Sequence, residues 1–303
     1  MRQHPDAQVD THEADERESV TRRYPAYLLL LPQLVLLVIV SAFPLAFLFR
    51  LAMLKTDFIA TTWVGLGNFG KLFHDRTFGI VMVNSLIYIT WLTGGGITIA
   101  VFFALLAYDL PKTIRSYLRV SLYLPSLTAG LIISTVWRWI WHPSAGLANW
   151  LLSLVGLGPV WWFGSRWTGM FAISCIIILG GVGFTTMVLL AAILSITPEV
   201  LDAARIDGAS PWQTRLQIVL PSIAPTVALL TTLALMGNAQ MWETVMMTTS
   251  GGPDHGTATL MFDIFYTAFL QHQFGYGSAK TVVLIALILV LALLKRKAET
   301  WGQ

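Results

Sequence analysis

The residues best equipped for chemistry in this chain sit inside an apolar stretch, 224–248, which Asn238, Gln240, Trp242 and Glu243 interrupt. A side-chain amide donates and accepts hydrogen bonds at once, and an indole offers an apolar face. Asn238, Gln240 and Trp242 therefore carry the group types that would bind a hydroxyl-bearing ring. Polar side chains in such a stretch are costly and by default mark a functional site. The competing reading for each is an interhelical hydrogen bond worth about 1 kcal/mol or less. Asn84, Trp137 and Arg138 are further candidates, although Arg138, near the end of a stretch, is better suited to reach headgroups or a partner acid. Catalytic chemistry fits poorly. His255, Asp263 and His272 are read as residues of a loop outside the spans, and no His, Cys, Asp or Glu spacing matches a metal or catalytic site. Apart from Glu243 and Arg138 the apolar stretches are nearly uncharged, which leaves an intramembrane enzyme without its convergent ionisable groups.

A second set of residues suits docking of a protein. The chain reads Pro198, Glu199, Val200, Leu201, Asp202, Ala203, Ala204, Arg205, Ile206, Asp207, Gly208, Ala209, Ser210, Pro211, and continues to Ile218, Val219, Leu220, Pro221. Pro198 can open a helix at its first position, and Glu199 and Asp202 complement that helix's positive end. Ala203 and Ala204 leave a small, flat face that another protein can approach closely. Gly208 supplies a turn, and Pro211 starts a second helix that runs amphipathically to Pro221. Such a hairpin fits a cleft on a soluble partner.

Both sets must be held by helices that cross a membrane. Of 303 residues 55% are hydrophobic and 12% charged, mean hydropathy is +0.68, and a soluble domain carries roughly 25% charge. A span needs about 20 mostly apolar residues. Six such runs lie near 26–49, 80–107, 120–141, 170–196, 224–248 and 281–294. The expected fold is all-α: a polytopic membrane protein of six transmembrane helices over residues 24–297, with the hairpin 198–221 between the fourth and fifth. The first run is too long and too far from the terminus for a cleaved signal. Residues 1–23, rich in Pro, Glu, Asp and Arg, are expected to form a flexible tail, and 298–303 a second tail. Cys175, the single cysteine, lies in the fourth run and reads as filler.

Six spans put both termini on one side with the second and fourth loops. That side carries twelve Lys or Arg, including Arg22, Arg23, Lys112, Arg115, Arg119, Arg205, Arg215, Lys295, Arg296 and Lys297; the other has six, Arg50, Lys55, Lys71, Arg76, Arg166 and Lys280. The positive-inside rule then places both termini in the cytoplasm. The formal charge of +3 encodes orientation here and does not point to nucleic acid. The tryptophans between Trp141 and Trp167 suit an interfacial belt in contact with lipid.

With these residues in view, the segment 202–221 resembles the EAA loop of ABC importer permeases. Ala203 and Ala204 are followed after three residues by Gly208, and nine residues separate Gly208 from Ile218, with Leu220 and Pro221 in place. Asp202 stands where Glu is usual. Tyr123, Leu124 and Pro125, the element Gly251, Gly252, Pro253, and Phe274 to Ala279 are similar to carbohydrate-uptake permeases related to the maltose transporter's larger subunit. Glycerol-phosphate permeases share these features. The resemblance implies a multi-pass inner-membrane subunit that pairs with a second homologous permease. It further implies two ATPase subunits that accept the EAA loops through Asp202, Ala203, Ala204, Gly208, Ile218, Leu220 and Pro221. An extracytoplasmic binding protein would deliver a sugar or related solute. It places a sugar-contacting asparagine at Asn238 and the family's contact region near Gly183 and Thr185, with Met241 replacing a second asparagine, which argues against maltose. The chain itself is expected to bind no cofactor, ATP and Mg belonging to the ATPases. Gly275 to Thr281 lacks the glycine before the lysine that a phosphate loop needs.

Overall fold

A computed structural model describes the backbone of residues 23–56, 60–128 and 130–301, with side chains from 29 to 297 within those stretches. The expected tail 1–23 lies outside the described residues save for Arg23, as do residues 302–303 of the second tail. Four helices are long and apolar enough to cross a membrane unbroken, Leu29–Ala52, Arg76–Tyr108, Arg166–Leu194 and Phe274–Lys297. Two bent pairs, Lys112–Leu127 with Gly130–Ile140 and Pro211–Ser222 with Ala224–Ala239, complete the expected six when each pair counts as one span.

Helix α1 runs from Arg23–Leu37 through a π turn at Val38–Ala42 into Phe43–Ala52. Pro44 cannot donate to the helical ladder, and the widened turn just before it absorbs the mismatch. A short ribbon follows, β1 (Leu54–Thr56) antiparallel to β2 (Thr61–Trp63). Then comes α2 (Gly67–Leu72), whose Asn68 donates to the carbonyls of Ala52 (2.8 Å) and Leu54 (2.9 Å) and so fixes the exit from α1. Helix α3 (Arg76–Tyr108) starts at Asp75, whose carboxylate accepts from the amides of Thr77 and Phe78, the usual N-cap arrangement. Its far end is closed by the Arg115 guanidinium, which donates to Ala107, Tyr108 and Leu110 carbonyls.

Arg115 belongs to α4 (Lys112–Tyr123), which tightens into a 3-10 turn at Leu124–Leu127 around Pro125. The next helix, α5 (Gly130–Ile140), leaves at 103° to it, so the expected third span is a bent one. A short helix α6 (Leu147–Leu154) precedes α7 (Arg166–Leu194), which packs lengthwise against α3. The hairpin is α8 (Pro198–Ile206) and α9 (Pro211–Ser222), the latter with a π turn at Thr214–Val219. Pro221 does not end α9; the chain bends by 64° after Ser222 into α10 (Ala224–Ala239).

The expected fifth span, 224–248, is interrupted. Helix α10 stops at Ala239 and α11 (Glu243–Thr248) begins three residues on. The break is stabilised from outside: the Thr259 hydroxyl donates to the Met241 carbonyl at 2.6 Å, supplying a bond the ladder no longer makes, and Trp242 stacks on Phe265 with centroids 4.5 Å apart. The loop after α11 is clamped by Asn84, which donates to His255 and Ala258 carbonyls and accepts from Arg166 at 2.7 Å.

Asp263 is not in an outer loop. It lies in α12 (Leu260–Phe265, continued by a π turn at Tyr266–Leu270) and is buried against Lys280 of α13 (Phe274–Trp301), whose ammonium sits 2.6 Å from its carboxylate and 2.9 Å from the Thr267 hydroxyl. Lys280 is only 2% exposed, so it is no outer-surface charge. Tyr276 joins the cluster by donating to Asp75 at 2.6 Å. Burial opposes ionisation of Asp75, but hydrogen bonds from Tyr276 and the Phe78 and Thr77 amides, with Lys280 nearby, hold its carboxyl below the usual range.

The two larger of four core clusters among the described residues join the long helices. One joins Val81, Tyr88 and Leu92 of α3 to Met170 and Ile173 of α7, Val245 of α11 and Leu260 of α12. The other, toward the hairpin, joins Ala100 and Ala104 to Leu189 and Ile193, Leu201 of α8, and Val219, Ile223 and Leu230. The α1 surface from Leu29 to Phe49 stays exposed, as an apolar helix facing lipid or another chain must be.

Candidate functional site

The hairpin is shaped by its own capping chemistry. Thr197 precedes Pro198 at the first helical position, and Glu199 lies in the first turn. At the far end Gly208 takes φ +78°. Its amide bonds the Arg205 carbonyl at 3.1 Å, and the Ala209 amide bonds Ala204 at 3.0 Å, the two crossed bonds of a Schellman termination. Ser210 and Gln213 then form a reciprocal capping box that starts α9. Arg215 anchors the hairpin to the end of α3 by a two-pronged contact with Asp109 and lies over the Trp212 ring.

The two alanines face different ways. Ala204 and Leu201 turn inward and are buried, whereas Asp202, Ala203, Ile206 and Gly208 are exposed, with Asp202 paired to Arg205 at 2.9 Å. Ile206 is 85% exposed, a large apolar side chain on a rim that nothing among the described residues covers. Ile218 is half-buried, Leu220 packs on the core cluster, and Pro221 is exposed.

About midway along α3 and α7 lies a cavity of about 410 Å³, lined by Leu92, Gly96 and Ile97, by Ser126, by Ile177, Gly180, Gly181, Phe184 and Thr185, and by Leu230, Leu233, Ala234 and Asn238. Its space comes from glycines: a Cβ added at Gly96, Gly180 or Gly181 would meet nothing within 4 Å. Asn238 reaches the wall as a half-buried amide whose Nδ2 donates to the Thr93 hydroxyl at 3.0 Å, leaving its carbonyl oxygen as an acceptor. Thr185 lines the same cavity, its hydroxyl turned to the Gly181 carbonyl.

The remaining candidates sit elsewhere. Gly183 is buried where α7 crosses α4, and a Cβ there would overlap the Leu122 carbonyl, so its smallness serves packing. Gln240 is exposed at the end of α10, its amide turned back to the Met236 carbonyl, and Trp242 has one indole face against Phe265. Glu243 points at the start of α5, its carboxylate oxygen 3.2 Å from where a Cβ on Gly130 would lie. Arg138 donates to the Met247 carbonyl at 3.3 Å. Thr93, Ser126 and the glycines of the cavity were not singled out from the sequence. Their one visible signal is the pair of glycine runs, 94–96 and 180–181, in two adjacent spans.

Comparison with known proteins places this arrangement. The sequence pattern of the family described as "Binding-protein-dependent transport system inner membrane component" matches residues 96–298. A diacetylchitobiose uptake system permease protein of Streptomyces coelicolor is 32% identical over 246 residues, covering 77% of this chain and 69% of that protein. An sn-glycerol-3-phosphate transport system permease protein of Escherichia coli is 29% identical over 278 residues, covering 90% and 93%. Among solved structures, a chain of a bacterial ABC transporter involved in import of the acidic polysaccharide alginate superposes with a TM-score of 0.82 at 24% identity, covering 94% of this chain and 98% of that one, a likeness of fold.

Proposed function

We propose a transport function on the premise that this chain belongs to the family of binding-protein-dependent transport system inner membrane components. It is the permease subunit of a sugar-type importer that works with a binding protein. Its solute is a sugar or sugar-like molecule, delivered by an extracytoplasmic solute-binding protein and moved across at the expense of ATP hydrolysed in two partner ATPase subunits, which hold the ATP and Mg. A second, homologous permease completes the pathway. The hairpin and both termini face the cytoplasm, where the ATPases dock.

The observation that carries this reading is the exposed rim at the end of α8, where Ala203, Ile206 and Gly208 have no cover among the described residues. An apolar side chain as exposed as Ile206, beside a turn free of side-chain bulk, is a surface made to be buried by another protein. The cavity supports the transport step: its volume lies within the range of small-solute pockets, and the Asn238 carbonyl oxygen offers an acceptor in a largely apolar wall. The chain's own part is mechanical: it holds a path and couples it to α8.

The test is uptake by the assembled complex in liposomes, with N-acetylated and unmodified oligosaccharides and sn-glycerol 3-phosphate offered in turn. Saturable uptake of one of them that requires ATP on the hairpin side supports the proposal. Uptake that ignores ATP and follows an ion gradient overturns it.

A further inference from the structure

Helix α4 carries Lys112, Arg115 and Arg119 and no acidic residue. Arg115 is committed to the α3 carbonyls. Lys112 and Arg119, seven residues apart, share one face of the helix with Ser116 and Tyr123. Arg119 is half-buried, and it has no hydrogen-bond or ion-pair partner among the described residues. Beside it a groove of about 310 Å³ runs between α4 and α7, lined by Arg119, Val120, Tyr123, Phe184, Met187 and Val188. The groove is a fixed feature, because the two helices are pinned next to it at Gly183, where the Leu122 backbone takes the place of a side chain.

The lining decides what can fill this groove. Its wall is almost wholly apolar although Arg119 and Tyr123 border it, so a hydroxyl-rich solute would lie there with its hydrogen bonds unmade. An aliphatic chain loses nothing. An unpaired guanidinium within a membrane-spanning fold is costly until it meets an anion. Arg119 lies about 10 Å from Lys112 along the helix, and a long arginine side chain can carry its charge from an apolar wall to a headgroup. Basic pockets between membrane helices above an apolar cleft suit anionic lipid headgroups. We propose that the groove between α4 and α7 binds an anionic phospholipid, one acyl chain lying along Tyr123, Phe184, Met187 and Val188 and the phosphate held by Arg119, with Lys112 as the outer contact. This site is distinct from the solute cavity, which it adjoins at Phe184, and it rests on membrane residence alone, so it stands or falls separately from the transport proposal.

The experiment uses the assembled complex in mild detergent, equilibrated with equal amounts of phosphatidylglycerol and phosphatidylcholine, with bound lipid counted by native mass spectrometry. The wild type is expected to retain phosphatidylglycerol over phosphatidylcholine by about tenfold, as one charge-assisted contact provides. Arg119→Gln should bring the ratio to near parity, Arg119→Lys should keep most of it, and Val188→Trp should fill the groove and lower occupancy of both lipids. Equal retention of the two lipids by the wild type overturns the proposal without recourse to any variant, and so does an unchanged ratio in Arg119→Gln. Displacement of phosphatidylglycerol by equimolar inorganic phosphate would make this a site for soluble anions and refute the acyl-chain contact. A crosslink from Val188→Cys to the second permease would show protein in the groove and refute it equally.

Discussion

Substitution at Gly208 separates what the hairpin needs for its own shape from what a docked ATPase needs of it. Gly208 sits at φ +78° in the Schellman end of α8, and a Cβ there meets nothing among the described residues within 4 Å. Gly208→Ala therefore costs the chain only the left-handed penalty, about 1–2 kcal/mol, which frays the crossed bonds from Gly208 and Ala209 to Arg205 and Ala204 without a clash. Asparagine enters this conformation more readily, so Gly208→Asn preserves the turn while adding bulk, and Gly208→Asp adds charge as well. All three should insert and pair with the sister permease. If α8 docks into an ATPase cleft as proposed, copurification of the ATPase and substrate-stimulated ATP hydrolysis should fall in the order Ala, Asn, Asp, with Asp the most severe, because added bulk and charge oppose close docking. If Gly208→Asn behaved as wild type while Gly208→Ala failed, only the backbone turn would matter. If Gly208→Asp kept both activities, α8 would not be the docking element.

Asn238→Ala should raise the KM of uptake about 5- to 150-fold, since a lost amide leaves solute hydroxyls unpaired at about 1–3 kcal/mol, with the amount of assembled complex unchanged; an unaltered KM would confine Asn238 to its bond with Thr93. Gly181→Val places methyl groups in open space, so the chain should fold normally while uptake is lost, and normal transport would move the solute path elsewhere. Lys280→Met strands the buried Asp263 carboxylate at about 3–5 kcal/mol, to be seen as a lower melting temperature in detergent that Asp263→Leu partly restores; an unchanged melting temperature would deny the pair any structural weight. Reporters fused after Arg119 and after Arg215 should read cytoplasm and one near Gly156 should read outside, the reverse at Gly156 contradicting the orientation.

Hydropathy alone located the spans, because transfer of apolar residues to lipid is nearly additive along the chain and needs no knowledge of neighbours. The hairpin was legible for a similar reason: Pro198, Gly208 and Pro211 dictate start, turn and restart through local backbone sterics, and the structure has α8 and α9 on those residues. What local rules could not reach was every feature made by a contact between distant parts of the chain. The interruption of the fifth stretch depends on Thr259 and Phe265 supplying partners to Met241 and Trp242. Gly183 is read from sequence as a place near solute, yet its neighbour is the Leu122 carbonyl on another helix. Lys280 counts as a surface charge until Asp263 and Thr267 are seen to enclose it. The sequence by itself determined which segments enter the membrane and where the chain turns; only the tertiary structure decided which polar side chains are spent on one another and which are left to face a partner, since that depends on pairings the linear order does not contain.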